Sequence, residues 1–153
     1  MIFSFEKGII KNYGRFEQID AIWFSDDRGT QNSLMISPQL WRDVCKNRYK
    51  DQFDLAHSLG KQVYFHSCGY IYDIIPLEKL GKEFVGKVCF NCLVDHKTVA
   101  TKGSRDEIFD YVKKLNDHLG YFNGEYIGYI EVYHSIGMSE DNYSYIVEAF
   151  EKL

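Results

Sequence analysis

The sequence is short of several things, and each shortage excludes a class of protein. It has only two prolines in 153 residues, so long structureless linkers are not expected. No apolar run approaches the ~20 residues that a membrane-spanning helix needs. Lys and Arg are scattered without a basic stripe and the net charge is -4, which argues against a nucleic-acid partner. The start, Met1-Ile-Phe-Ser-Phe-Glu-Lys7, has no basic region followed by a long apolar core, so no secretory signal is expected. The four cysteines, Cys45, Cys68, Cys89 and Cys92, do not form the dense framework of a small secreted domain. Reduced thiols and a cytoplasmic location are the expectation. There is no internal repeat, low-complexity segment or visible domain boundary, so residues 1–153 are read as one domain.

Apolar patterning is plentiful. Hydrophobic residues make up 45% and charged residues 26% of the chain, the balance of a folded domain with a core. Four apolar runs predict strands: Ala21-Ile-Trp-Phe24, Gln62-Val-Tyr-Phe65, Lys87-Val-Cys-Phe90 and Tyr126 to Tyr133. Helical patterns lie between them. Ser37-Pro38 is a helix start, since Ser caps and Pro suits the first turn. The apolar stripe Trp41, Val44, Cys45, Gln52, Leu55, Ala56, Leu59 follows, and Gly60 ends it. Ser104-Arg-Asp-Glu107 is a capping box, with Ile108, Val112, Leu115 and Leu119 at helical spacing up to Gly120. Ser139 or Asn142 opens a last helix carrying Ile146, Val147 and Phe150. Residues 5–18 are also predicted helical, and Tyr70 to Leu80 a short helix broken near Pro76. Alternating strands and helices predict an α/β fold of about four βα units with parallel strands and right-handed crossovers.

The strand ends carry the chemistry. The first runs into Ser25-Asp26-Asp27, the second into His66-Ser-Cys68, the third into Asn91-Cys92-Leu-Val-Asp95 and the fourth into His134. The carboxyl ends of parallel strands are where α/β proteins build sites. His66 and Cys68 are two apart, so on a strand they share a face; packing alone explains such a pair poorly. Asp26 and Asp27 alternate, so one of them is expected to enter the site as a proton acceptor, an orienting group or a ligand. Cys92 is either a substitute ligand or a buried apolar thiol. Cys89 with Cys92 makes a single Cys-x-x-Cys, weak by itself as a metal motif.

Several segments, taken in order, carry a family resemblance: Asp26-Asp-Arg-Gly-Thr-Gln31, Ile36-Ser-Pro-Gln-Leu-Trp41, His57-Ser-Leu-Gly-Lys61, Phe65-His-Ser-Cys-Gly69 and Cys89-Phe-Asn-Cys-Leu-Val-Asp95. The Gly103-to-Val112 helix start and the Tyr126-to-His134 segment continue it. The chain resembles the uroporphyrinogen decarboxylase superfamily, and within it the corrinoid-linked methyltransferase branch. The resemblance implies a partial TIM (β/α)8 barrel, with this chain similar to the carboxyl-terminal part of a fold that takes ~250 residues. It implies zinc held by His66 and Cys68, with His134 at the last-strand ligand position, where several relatives use Cys. It implies methyl transfer with a corrinoid carried on a partner protein, the metal serving a substrate thiol or a methoxy oxygen. A homodimer or a separate chain carrying the amino-terminal half would complete the barrel. The superfamily leaves two alternatives, uroporphyrinogen decarboxylation and a non-catalytic remnant or interaction subunit. The first is poorly matched, because that reaction uses no metal and relies on an amino-terminal Arg-rich loop that this chain lacks.

Overall fold

Serine side chains cap the start of three of the described helices, at Ser37, Ser104 and Ser139. The structure, a computed structural model, describes residues 2–71, 73, 74, 79, 82, 84, 87–120 and 126–153. They fall into two compact units, Met1–Pro76 and Leu77–Leu153.

In the first unit, helix α1 (Ile2–Tyr13) precedes strand β1 (Ala21–Ser25). Ser37 then accepts a hydrogen bond from Leu40 N, with Pro at the first helical position, and opens α2 (Pro38–Trp41). This helix runs through a π-helical stretch, Arg42–Lys46, into α3 (Asn47–Ser58). The wider π turn shifts the phase of the stripe. Cys45, Tyr49, Gln52 and Ala56 are the buried positions, while Val44, expected on the stripe, is exposed. Gly60 reverses the chain with φ +73° and leads into strand β2 (Gln62–His66). β2 pairs parallel to β1, in register Ala21 with Gln62 through Ser25 with His66. The result is a βαβ unit. One sheet face is packed by aromatic rings: Phe24 and Phe65 lie 5.1 and 5.6 Å, centroid to centroid, from Phe53 of α3. Helix α1 closes the other side of α3 through Phe3 on Tyr49 and a 2.7 Å bond from Gln52 Nε2 to Glu6.

The second unit repeats the scheme. Strand β3 (Phe90–Leu93) is followed by the short α4 (Val99–Lys102) and by α5 (Arg105–Leu115), which passes into a second π-helical stretch at Asn116–Gly120. Strand β4 (Tyr126–Tyr129) then pairs parallel to β3. A helical turn α6 (Tyr133–Ile136) and the last helix α7 (Glu140–Glu151) follow. Ile108, Val112, Leu115 and Leu119 are all buried. Val94, Ala100, Ile108, Val112, Met138, Ile146 and Ala149 form the main core cluster. The predicted capping box is complete: Ser104 accepts from Glu107 N, and Glu107 accepts from Ser104 N. Ser139, not Asn142, caps the last helix.

The described residues are thus an α/β arrangement with two parallel two-stranded sheets. Three expectations shift. The first helix covers Ile2–Tyr13, not residues 5–18. The third strand begins at Phe90, later than the Lys87 run, because Phe90 is the first residue whose side chain is buried, against Leu115 and Leu119. The fourth strand stops at Tyr129, and Gly137, at φ +73°, closes a helical turn where strand was expected. The Tyr70-to-Leu80 helix lies mostly outside the described residues.

Removing the Ser104 hydroxyl should cost the second unit about 1 kcal/mol, the usual worth of such a cap. Hydrogen bonds from Ser104 hold the Glu107 carboxyl below its ordinary pKa of 4.5. That contribution is present above the ordinary carboxylate range and disappears as pH falls through the depressed value. Urea titrations of Ser104→Ala against the parent should differ at neutral pH and by somewhat less in acid, where the bond from the Ser104 hydroxyl to the Glu107 carboxylate is lost but the cap on Glu107 N remains.

Candidate metal centre

The two loops that leave β1 and β2 do not separate. Asp26 N donates to His66 O at 3.1 Å, Gly29 N to Cys68 O at 3.3 Å, and Tyr70 N to Thr30 O at 2.9 Å. The pairing of the sheet is thereby extended past its end. Two glycines permit this. A Cβ on Gly29 would collide with the backbone of Gly69 and Tyr70, and a Cβ on Gly69 with the backbone of Gly29. Gly69 also sits at φ +80°, a region that favours glycine. Arg28 N adds a 3.3 Å bond to Ser67 Oγ.

This bracing gives the consecutive aspartates different tasks. Asp26 turns inward, accepting from the Arg28 guanidinium and the Tyr49 hydroxyl. Arg28 lies over the Tyr49 ring at 4.6 Å and reaches Cys45 Sγ at 3.7 Å. Asp27 turns the other way. Its Oδ1 accepts from Cys68 N at 3.0 Å and stands 3.8 Å from His66 Nε2. His66 Nε2 is in turn 3.0 Å from Cys68 Sγ. One donor atom from each of Asp27, His66 and Cys68 lies within 4.8 Å of the other two. Among the described residues this is the one group of three such side chains close enough to share an ion.

The donor set suits zinc. Imidazole nitrogen, thiolate sulfur and carboxylate oxygen are its three protein ligand types, and tetrahedral coordination puts adjacent donors about 3.4–3.6 Å apart. The observed 3.0 Å from His66 to Cys68 and 3.8 Å from His66 to Asp27 bracket that spacing. Three protein donors also leave a fourth position for another ligand. Asp27 and Cys68 are exposed and His66 half-buried, so the group is open to solutes.

The remaining sequence candidates belong to the second unit. Cys92 lies inside β3, not beyond its end, because the strand starts three residues later than the apolar run implied. It packs against the Phe90, Leu115 and Leu119 cluster. Burial, with Cys89 adding to it, pushes its thiol up to about 11, so it stays protonated at neutral pH. His134 is exposed on the α6 turn, five residues past the end of β4, with its ring 3.9 Å from that of Tyr133. Asp95 does local work: its Oδ1 accepts from Lys97 N at 2.9 Å and its Oδ2 accepts from the Thr98 hydroxyl.

Sequence reasoning passed over Arg28, Tyr49 and Trp23. Arg28 was detectable, since a cation two residues past Asp26 is a natural partner for whichever aspartate turns inward. Trp23 stands on the same face as His66, with ring planes 20° apart and centroids separated by 6.1 Å. Strict alternation from His66 through the β1–β2 register would have placed it there.

No family model, curated protein or solved structure matches this chain.

Gly69→Ala should destabilise the first unit and scatter the donors, since it both strains φ and clashes with backbone. Denaturation monitored by Trp fluorescence would show it. Brief alkylation of the metal-free protein at neutral pH, mapped by peptide mass, should modify exposed Cys68 and Cys89 well before Cys92 and Cys45.

Proposed function

We propose that Asp27, His66 and Cys68 bind a zinc ion, and that the chain serves methyl transfer with a corrinoid carried by a partner protein. The observation that carries this is the convergence of one nitrogen, one sulfur and one oxygen donor within 4.8 Å at the carboxyl ends of two parallel strands. The resemblance described above supplies the reaction class. When bound, zinc supplies Lewis acidity, which favours the thiolate of a substrate thiol or polarises a methoxy oxygen.

The chain's own residues do the rest. His66 is anchored in the β1–β2 ladder. Asp27 is oriented by the Cys68 amide, which holds its carboxylate beside the group. Asp26 serves as a buttress through Arg28 and Tyr49 and keeps the loop in place. In this reading Asp27, not His134, is the third donor, and Cys92 is a core thiol. Uroporphyrinogen decarboxylation gains no support from this geometry, because a nitrogen–sulfur–oxygen donor group has no part in a metal-free reaction.

The fold reading goes with it. A closed barrel needs eight strands and the described residues form four. We therefore read the chain as part of a barrel completed by a second copy or by a chain carrying the amino-terminal half. A stable lone monomer that binds neither counts against that.

Purified protein should carry about one zinc per chain by elemental analysis. His66→Ala and Cys68→Ala should each lose it. Asp27→Asn, which replaces a charged donor by a neutral one, should weaken affinity by at least the roughly 10–100-fold that loss of an outer-shell carboxylate costs, as read by competition with a chromogenic chelator. Zinc-loaded protein should demethylate methylcobalamin in the presence of a thiol, followed by absorbance, and chelated protein should not. A wild-type chain that takes up no zinc ends the reading.

A further inference from the structure

His66 commits one ring nitrogen to the donor group. Its Nε2 is 3.0 Å from Cys68 Sγ and 3.8 Å from Asp27 Oδ1. Among the described residues no group bonds Nδ1. A ligating imidazole ordinarily donates its second N–H to a carboxylate or a backbone carbonyl, and that bond fixes the ring. Without such a bond the last torsion of a histidine is broad and roughly two-fold. A half turn would put ring carbon where Nε2 now stands. Some other contact has to hold the ring, and the sheet supplies one. Trp23 pairs directly with Tyr64 in the β1–β2 register, and His66, two residues on from Tyr64, lies on the same face. The Trp23 ring is 6.1 Å from the imidazole with planes 20° apart, and 6.1 Å from the Tyr64 ring with planes 13° apart. Diagonal cross-strand neighbours are within reach of aromatic side chains. Trp23 is 65% exposed, so it adds little to the core.

We propose that Trp23 is a positioning residue for the metal centre. Its ring face restricts rotation of the His66 imidazole and keeps Nε2 aimed at the ion, in place of the hydrogen bond a ligating histidine usually makes. Tyr64, stacked on Trp23 in turn, steadies the indole. This rests on the metal-site reading above and deepens it by adding a residue that supplies no donor atom. The contact lies within one face of one two-stranded sheet, so it holds whether or not a second chain completes a barrel.

Cobalt(II)-substituted protein tests this, because its visible d–d bands report the number and geometry of the donors. Trp23→Leu, which keeps bulk but has no flat face, should bind cobalt and zinc roughly 3- to 10-fold more weakly than wild type, the value of one aromatic pair. At saturating cobalt its visible bands should also shift or weaken. A loss of stability alone would not do this, since only folded protein contributes to the saturated spectrum. Trp23→Val, a strand former without a ring, should behave as Trp23→Leu does and serves if that variant fails to fold. Trp23→Phe should restore both affinity and spectrum. If the ringless variants match wild type in both, Trp23 does not position the imidazole and the metal reading survives. A weaker affinity with an unchanged saturated spectrum, or a Trp23→Phe protein that restores neither, overturns the proposal as well. If the wild type binds no cobalt, both readings fall.

Discussion

The close approach of Gly29 to Gly69 is the constraint on which the donor group depends. Loops leaving two parallel strands normally diverge, because each must turn into its own helix. Here they stay hydrogen-bonded as far as Tyr70, and that is possible only where neither backbone carries a Cβ at the crossing. The arrangement fixes the height at which Asp27 meets Cys68 N. It also keeps the imidazole and the thiol, which come from one strand end, opposite a carboxylate from the other.

The neighbouring aspartates show how a strand end separates support from presentation. Alternation sends Asp26 toward Arg28 and Tyr49 and Asp27 toward His66. On the inward side the Asp26 carboxylate accepts from both the Arg28 guanidinium and the Tyr49 hydroxyl. The outward side presents an imidazole nitrogen, a sulfur and a carboxylate oxygen to one another, with the Cys68 amide holding the carboxylate.

Much of this was legible in the residues, for physical reasons that can be named. The β1 and β2 runs are short, β-branched or aromatic, and bounded by Asp20 and Gly60, so their ends were readable to within a residue. Ser104 to Glu107 is a local motif whose partners are three residues apart, and local motifs survive whatever surrounds them. The third strand was read too early because Lys87-Val-Cys is apolar enough for a strand, while the choice of start was made by Phe90 burying against Leu115 and Leu119, residues some 25 positions away. His134 was read as following a long strand because Tyr126 to Tyr133 is an almost unbroken apolar run. The chain instead makes a helical turn closed by Gly137, whose left-handed φ is the kind of tertiary choice that periodicity does not register. That Asp27 rather than Asp26 meets His66 needed the register of β1 on β2, which no single segment contains.

The π-helical stretch at Arg42–Lys46 has a consequence for how the chain tolerates change in length. A π turn accommodates one residue more than an α turn does, and the surplus here lies between the Ser37 cap and Tyr49. Excising one residue from it would restore a regular helix and leave local hydrogen bonding intact. It would also turn everything on one side of the cut by about 100° relative to the other, one residue's step at 3.6 per turn. Cys45 and Tyr49 could then no longer both face Arg28. The most conservative-looking shortening of this chain is thus one that would silently unseat the loop above it.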